Sequence, residues 1–247
     1  GGAARGWFRV KGVYAPYVRS SLESILDAVD LDDTAATAWR ESAAKRGDPN
    51  AKFEPVALGA LDKVLRPYQK QGVYWMRFLE EAGLSGLLAD EMGLGKTLQT
   101  LTWLSLPTAN RTGHRPATPN AQPALIVCPT SLVRNWEAEA KKFTPQLKVL
   151  VVSGPERARD FRRIDAVDLV VTSYALLQRD FDAAYLGRRF SAVVLDEAQH
   201  IKNRETKNAK AVKLLAADRK LALTGTPVEN SVADVWSIFD FLMPDYL

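Results

Sequence analysis

Six short apolar runs follow one another after residue 62, and they constrain the fold of this chain more than any other feature: GLLAD (86–90), ALIVCP (124–129), LKVLVVS (147–153), VDLVVTS (167–173), FSAVVLDE (190–197) and KLALTG (220–225). The runs are continuous rather than alternating, the pattern of strands covered on both faces. Helical spacing lies between them, as in Leu132, Trp136, Ala140 and Phe143 at intervals of three and four. Repeated βα units predict an α/β fold, a mainly parallel sheet with helices on both faces, whose ligands bind beyond the carboxyl ends of the strands. The polar residues agree with that rule. GLLAD runs into EMGLGKT, VVLDE ends in two carboxylates, KLALTG leads into TGTP, and ALIVCP leads into TS.

The stretch DEMGLGKT, Asp90–Thr97, ends like a phosphate-binding loop but carries Asp90 where the general pattern has its first glycine. A triphosphate needs converging backbone N–H groups, a side-chain cation and a magnesium ligand at the start of the following helix. Gly93 and Gly95 permit the tight turn, Lys96 reaches the β and γ oxygens, and the Thr97 hydroxyl is placed to ligate magnesium. The missing glycine removes no donor. One hundred residues after Lys96, Asp196 and Glu197 close a buried apolar run. An aspartate there can hold magnesium through its water shell, and the adjacent glutamate can take a proton from the attacking water.

Composition narrows the field further. With 247 residues, 47% hydrophobic and 25% charged, the chain reads as a soluble globular protein, and none of its segments stays apolar for the eighteen or so residues of a membrane span. No signal-peptide pattern opens it, and the expected location is cytoplasmic, with the nucleoid. A single cysteine, Cys128, excludes an internal disulfide, and with only His114 and His200 beside it no zinc cluster is expected. The net charge of +4 lies after residue 60, in Arg157, Arg159, Arg162 and Arg163, in Arg188 and Arg189, and in Lys202, Arg204, Lys207, Lys210 and Lys213. Such clusters suit phosphate backbones, although any one run is more commonly a solvated helix face.

In order along the chain, DEMGLGKT, LIVCPTSLVRNWEAE, VTSYALL, VVLDEAQHIKN and LALTGTPVENSVADVWSIFDFL resemble motifs I, Ia, Ib, II and III of the SWI/SNF-type ATPases of helicase superfamily 2, in their bacterial form. LRPYQKQGVYWM, residues 65–76, resembles the segment upstream of the loop, and the Asp-Glu-x-Gly-Leu-Gly-Lys-Thr form is the usual one in that family. The resemblance covers residues 62–247 and implies a RecA-like P-loop lobe, the first of two. Residues 1–61 are expected to form a short, mostly helical accessory segment, the end of a helicase-associated region, with Leu22, Ile25, Leu26 and Val29 on one helical face.

What the resemblance implies for single residues is specific. ATP and Mg2+ are the expected cofactors, held by Met92, Gly93, Leu94, Gly95, Lys96 and Thr97, with Gln69 reading the adenine edge. Pro129, Ser131, Leu132 and Asn135 of motif Ia are expected along a DNA phosphate backbone, and Thr172 and Ser173 to extend that track. Gln199, Thr224, Gly225 and Thr226 are expected to couple the γ-phosphate to the DNA path. Gln199 stands where many relatives carry histidine, which leaves His200 without a role. Ser131 and Thr226 are also natural helix or turn caps, Gln69 a natural solvated helix residue, and Trp136 a core residue.

The function expected is that of the ATP-binding lobe of a double-stranded-DNA-dependent translocase, monomeric and nearly inactive without the second lobe and its arginine. The expected partners are duplex DNA, that second lobe, and a DNA-bound complex such as RNA polymerase. The alternatives are a strand-separating or RNA-directed superfamily 2 helicase, and a non-catalytic module docking on RNA polymerase.

Overall fold

A computed structural model describes residues 53–107, 122–225 and 232–244. The N-terminal segment as far as residue 52, most of the loop between Pro107 and Pro123, and Thr226 lie outside the described residues.

The central sheet has six parallel strands in the order β1-β8-β6-β2-β4-β3. These are β1 (Gly86–Leu88), β2 (Ala124–Cys128), β3 (Val149–Val151), β4 (Leu169–Ser173), β6 (Ala192–Leu195) and β8 (Lys220–Leu223), one in each expected run. A second, two-stranded parallel sheet joins β5 (Arg189–Phe190) to β7 (Ala216–Ala217). Only Phe190, at the start of the expected run 190–197, touches an expected strand, because two-residue strands leave no periodic signal.

Register explains why the runs do not alternate. Ile126 is the partner of Val171 on one side and Val194 on the other, and all three enter one core with Leu88, Cys128, Leu221 and Leu223. The intervening residues Leu125, Val127, Val170, Val193, Leu195 and Ala222 point to the opposite face and are equally buried. Both faces are therefore apolar, as a helix-covered parallel sheet requires.

The helices are α1 (Pro67–Glu81), α2 (Lys96–Ser105), α3 (Val133–Phe143), α4 (Tyr174–Asp180), α5 (Lys207–Lys213) and α6 (Val232–Leu242). Packing runs from α1 to α2 to α3, and separately from α4 to α5 to α6. Local chemistry sets their starts. Pro67 opens α1 with its fixed φ, and Gln69 Oε1 accepts from the Arg66 N–H at 2.9 Å. Ser173 and Thr206 cap α4 and α5 by accepting from the N–H groups of Leu176 and Ala209. The compact unit begins at Phe53, upstream of the expected boundary at 62, because Leu58 and Leu61 are buried in the same core as Leu65.

Candidate active site

Three neighbouring strands, β1, β8 and β6, bring the loop, Thr224 and the Asp196–Glu197 pair together at their carboxyl ends. The loop turns through left-handed backbone at Gly93 and Gly95. Gly95 is fixed by two constraints at once. Its φ is 78°, and a β-carbon there would overlap the amide nitrogen of Gln69. Gly225 meets the steric constraint alone, since a β-carbon would lie 2.5 Å from Met92 Cγ. Motif III thus packs directly on the loop, while the rest of Met92 is 74% exposed.

Lys96 opens α2 and folds back over the loop, its Nζ donating to the carbonyls of Asp90 at 2.6 Å and Glu91 at 3.0 Å. Gln69 is buried, and its Nε2 donates to the Leu94 carbonyl at 3.0 Å, as the Tyr68 hydroxyl does at 3.2 Å. The amide thus ties the start of α1 to the loop. Gln99, one turn into α2, donates to Asp90 Oδ2 at 3.3 Å, so Asp90 takes a structural bond that glycine could not. The hydroxyl of Thr97 lies half-buried at the first turn of α2 with no hydrogen-bond partner among the described residues.

Asp196 is 6% exposed. Its Oδ2 accepts from Trp136 Nε1 at 2.8 Å, its Oδ1 from the Glu197 N–H at 3.0 Å, and its carbonyl from the Tyr174 hydroxyl at 2.9 Å. Burial pushes the carboxyl above the usual range, with the Glu197 charge adding to the rise, while the Trp136 bond and the charge of Lys96 oppose it. Burial also holds the Tyr174 phenol well above its ordinary value, so it remains a donor. Glu197 is the one residue other than glycine with positive φ among the described residues, at 50°. Backbone strain of this kind gathers at functional positions. Its Oε2 accepts from Gln199 Nε2 at 2.8 Å, and Gln199 Oε1 accepts from the Thr224 hydroxyl at 3.1 Å. One hydrogen-bonded chain therefore runs from motif II to motif III. His200, exposed on the motif II turn, stacks on Tyr174 with centroids 5.1 Å apart.

The donor set fits a magnesium ion that takes the rest of its shell from phosphate and water. No group of three or more His, Cys, Asp or Glu able to hold a metal occurs among the described residues, and Mg2+ needs only one or two protein oxygens when phosphates complete its shell. Thr97 and Asp196 could offer such oxygens.

The motif Ia residues divide. Ser131 and Asn135 are exposed and Pro129 and Leu132 half-buried, on a 3-10 turn, Thr130–Leu132, that runs straight into α3. Thr172 and Ser173 do not share their surface. Thr172 is fully buried with its hydroxyl donating to the Val152 carbonyl at 3.0 Å, and Ser173 is the buried cap of α4. Neither side chain is open to an external phosphate, because both hydroxyls satisfy backbone groups at strand ends. Most of the basic clusters have carboxylate partners, several of them in exposed surface pairs. Arg157 pairs with Asp180, Arg159 with Glu156, Arg163 with Asp160, Arg188 with Asp165, Arg189 with Asp218, Lys210 with Glu205 and Lys213 with Asp240. Arg162, Lys202 and Lys207 are exposed outside these pairs. The Trp136 and Tyr174 contacts to Asp196 escaped the sequence reading; the available signal was that a buried indole N–H or phenol must find an acceptor.

A model of the SNF2-related domain matches residues 68–247. The TATA-binding protein-associated factor MOT1 of Saccharomyces cerevisiae is 42% identical over 207 residues, which are 81% of this chain and 11% of MOT1. The putative ATP-dependent helicase/translocase YwqA of Bacillus subtilis is 38% identical over 222 residues, 88% of this chain and 23% of YwqA. Among solved structures, the Sulfolobus solfataricus SWI2/SNF2 ATPase core in complex with dsDNA superposes with a TM-score of 0.68 at 40% identity, over 78% of this chain and 38% of that one. This chain therefore spans less than a quarter of either curated relative and under half of the solved core.

Proposed function

The chain belongs to the SNF2-related family, and we propose that it is the ATP-binding lobe of a double-stranded-DNA-dependent ATPase that moves along the duplex. The observation that carries the reading is the separation of charge at the carboxyl end of the sheet. Lys96 rests on loop carbonyls, and Asp196 and Glu197 make no ion pair with it or with any other cation among the described residues. On nucleotide binding Lys96 exchanges those carbonyls for the β and γ oxygens of ATP, and the backbone from Met92 to Gly95 surrounds the phosphates. Thr97 and Asp196 hold Mg2+, which when bound neutralises charge on the phosphoryl oxygens. Glu197 takes the proton of the attacking water, and Gln199 holds that carboxylate while bonding Thr224 of motif III. Gln69 keeps one amide hydrogen for the adenine while its other bonds fix the loop.

Pro129, Ser131, Leu132 and Asn135 offer the surface for one strand of duplex DNA, the partner named for the Sulfolobus core. A second RecA-like lobe supplies the arginine that completes the site, and the substrate of the whole machine is a protein complex on DNA, RNA polymerase being one such complex, in the nucleoid. The test is steady-state phosphate release by this chain and by a protein carrying both lobes, each with duplex DNA, single-stranded DNA and RNA. Duplex DNA should stimulate the two-lobe protein alone, by about a thousandfold over this chain, since arginine fingers supply effects of that order. Equal rates from the single lobe would overturn the reading, and preferential stimulation by single strands or RNA would replace it with the helicase alternative.

A further inference from the structure

The Asp196 carboxylate is held by two donors from different parts of the chain. Glu197 N–H fixes Oδ1 from within motif II, whereas Trp136 Nε1 fixes Oδ2 from α3, sixty residues upstream. Each oxygen keeps a lone pair, so the carboxylate is oriented without being filled. Trp136 cannot adjust independently of its helix. It is fully buried, in the core that contains Ile126, Cys128, Val171 and Val194. The residue before it, Asn135, is exposed, and its Nδ2 donates to Glu139 Oε1 at 3.3 Å on the next turn. Ser131 lies in the 3-10 turn that continues into α3 without a break. A rigid lever about one helical turn long therefore joins an exposed polar end to an oxygen of the metal-holding acid.

We propose that Trp136 is a positioning residue for Asp196, and that α3 passes the seating of duplex DNA on Ser131 and Asn135 to the carboxylate through the indole N–H. The inference rests on the assignment of Asp196 to the magnesium site. A displacement of α3 moves Nε1, and the hydrogen bond obliges Oδ2 to follow or to lose its donor. Either result changes the free energy of the metal-bound state, which is what coupling between two sites means. A merely structural role predicts something else. The indole would need any acceptor, and replacing the N–H would alter stability without touching the metal.

The test uses the protein carrying both lobes, with Mn2+ as the probe and a non-hydrolysable ATP analogue present, read by electron paramagnetic resonance. Two variants remove the donor: Trp136→Phe, and replacement of Trp136 by benzothienylalanine, which keeps the shape of the indole and so protects against a packing failure. Mn2+ affinity should fall about tenfold in both, the size typical of losing a group that orients a metal ligand. In the parent, duplex DNA should raise Mn2+ affinity about fivefold or more, and in the variants this enhancement should disappear. Affinity for DNA without nucleotide should be unchanged, because Trp136 is buried away from that surface. Equal Mn2+ affinity in parent and benzothienylalanine protein overturns the positioning role, and a DNA enhancement that survives the substitution overturns the coupling. A parent with no Mn2+-dependent nucleotide binding would instead overturn the reading of the site itself.

Discussion

Two indole–carboxylate pairs stand at opposite ends of the same sheet. At the amino end Trp103 Nε1 donates to Glu80 Oε2 at 3.1 Å, and Glu80 is also paired with Arg219 at 3.0 Å and Arg77 at 3.6 Å. The Arg219 guanidinium lies over the Trp103 ring, 5.1 Å from its centroid. At the carboxyl end Trp136 donates to Asp196 in the same manner, yet among the described residues no arginine or lysine closes the pair. Lys96 is near enough to oppose the rise in the Asp196 pKa, but its hydrogen bonds go to carbonyls. A buried carboxylate with its cation is finished structure, whereas one with a hydrogen bond and no cation carries an unmet electrostatic demand. That difference separates the end that holds the lobe together from the end that acts.

The largest effect expected from this contrast is on turnover. In the two-lobe protein Lys96→Ala and Glu197→Gln should each reduce ATP hydrolysis about a thousandfold, the range of a lost acid–base or charge-stabilising group. Their binding should differ. Lys96→Ala removes charge that meets phosphate and should lose nucleotide affinity, while Glu197→Gln keeps the acceptor for Gln199 and should bind ATP normally. Equal loss of affinity in both, measured by fluorescent-nucleotide titration, would dissolve the division of labour.

The amino end should answer to stability instead. Glu80→Gln leaves the largely covered Arg219 guanidinium without its countercharge and should cost about 3 kcal/mol in denaturant unfolding, with nucleotide affinity unaltered. Adding Arg219→Met should recover much of that loss, since removing both charges removes the uncompensated one. A smaller, pH-dependent change is expected from Asp196→Asn in metal-free protein. The folded-state pKa of Asp196 is raised, so its contribution to stability is present below the unfolded value and lost as pH rises through the folded one. Asparagine removes the titrating charge but turns an NH2 toward the Trp136 or the Glu197 N–H, so the comparison lies in the trend: the parent should gain stability relative to the variant as pH falls from 7 to 4. A parent that loses ground to the variant on acidification would contradict the desolvated carboxylate. Least of all should change at Cys128, whose thiol burial and the Asp196 charge push up to about 12. Iodoacetamide at pH 8 should leave it unlabelled until the lobe unfolds.

Much of this molecule is legible in its sequence alone. Continuous apolar runs announced doubly covered strands, and the rule that ligands gather at carboxyl ends placed Lys96, Asp196, Glu197 and Thr224 at one end of the sheet. Gly95 and Gly225 were marked as special by their motifs, and their neighbours Gln69 and Met92 explain why a side chain has no room there.

Other properties depend on which distant segments meet, and local sequence carries no record of that. Thr172 and Ser131 are both hydroxyl residues beside motif positions, yet one turns inward to the Val152 carbonyl and the other faces solvent. The basic runs suited either phosphate backbones or solvated helix faces, and some of their carboxylate partners lie far off in sequence, 29 residues away in the case of Arg189 and Asp218. The bond from Trp136 to Asp196 exists because β2 lies beside β6, which brings α3, following β2, against the end of β6. Residue type and spacing determined the strands, the loop and the chemistry that each motif offers, because those rest on short-range periodicity. Strand order decided which buried acid keeps a cation and which is left waiting for one, because pairing across the sheet is a property of neighbours in space.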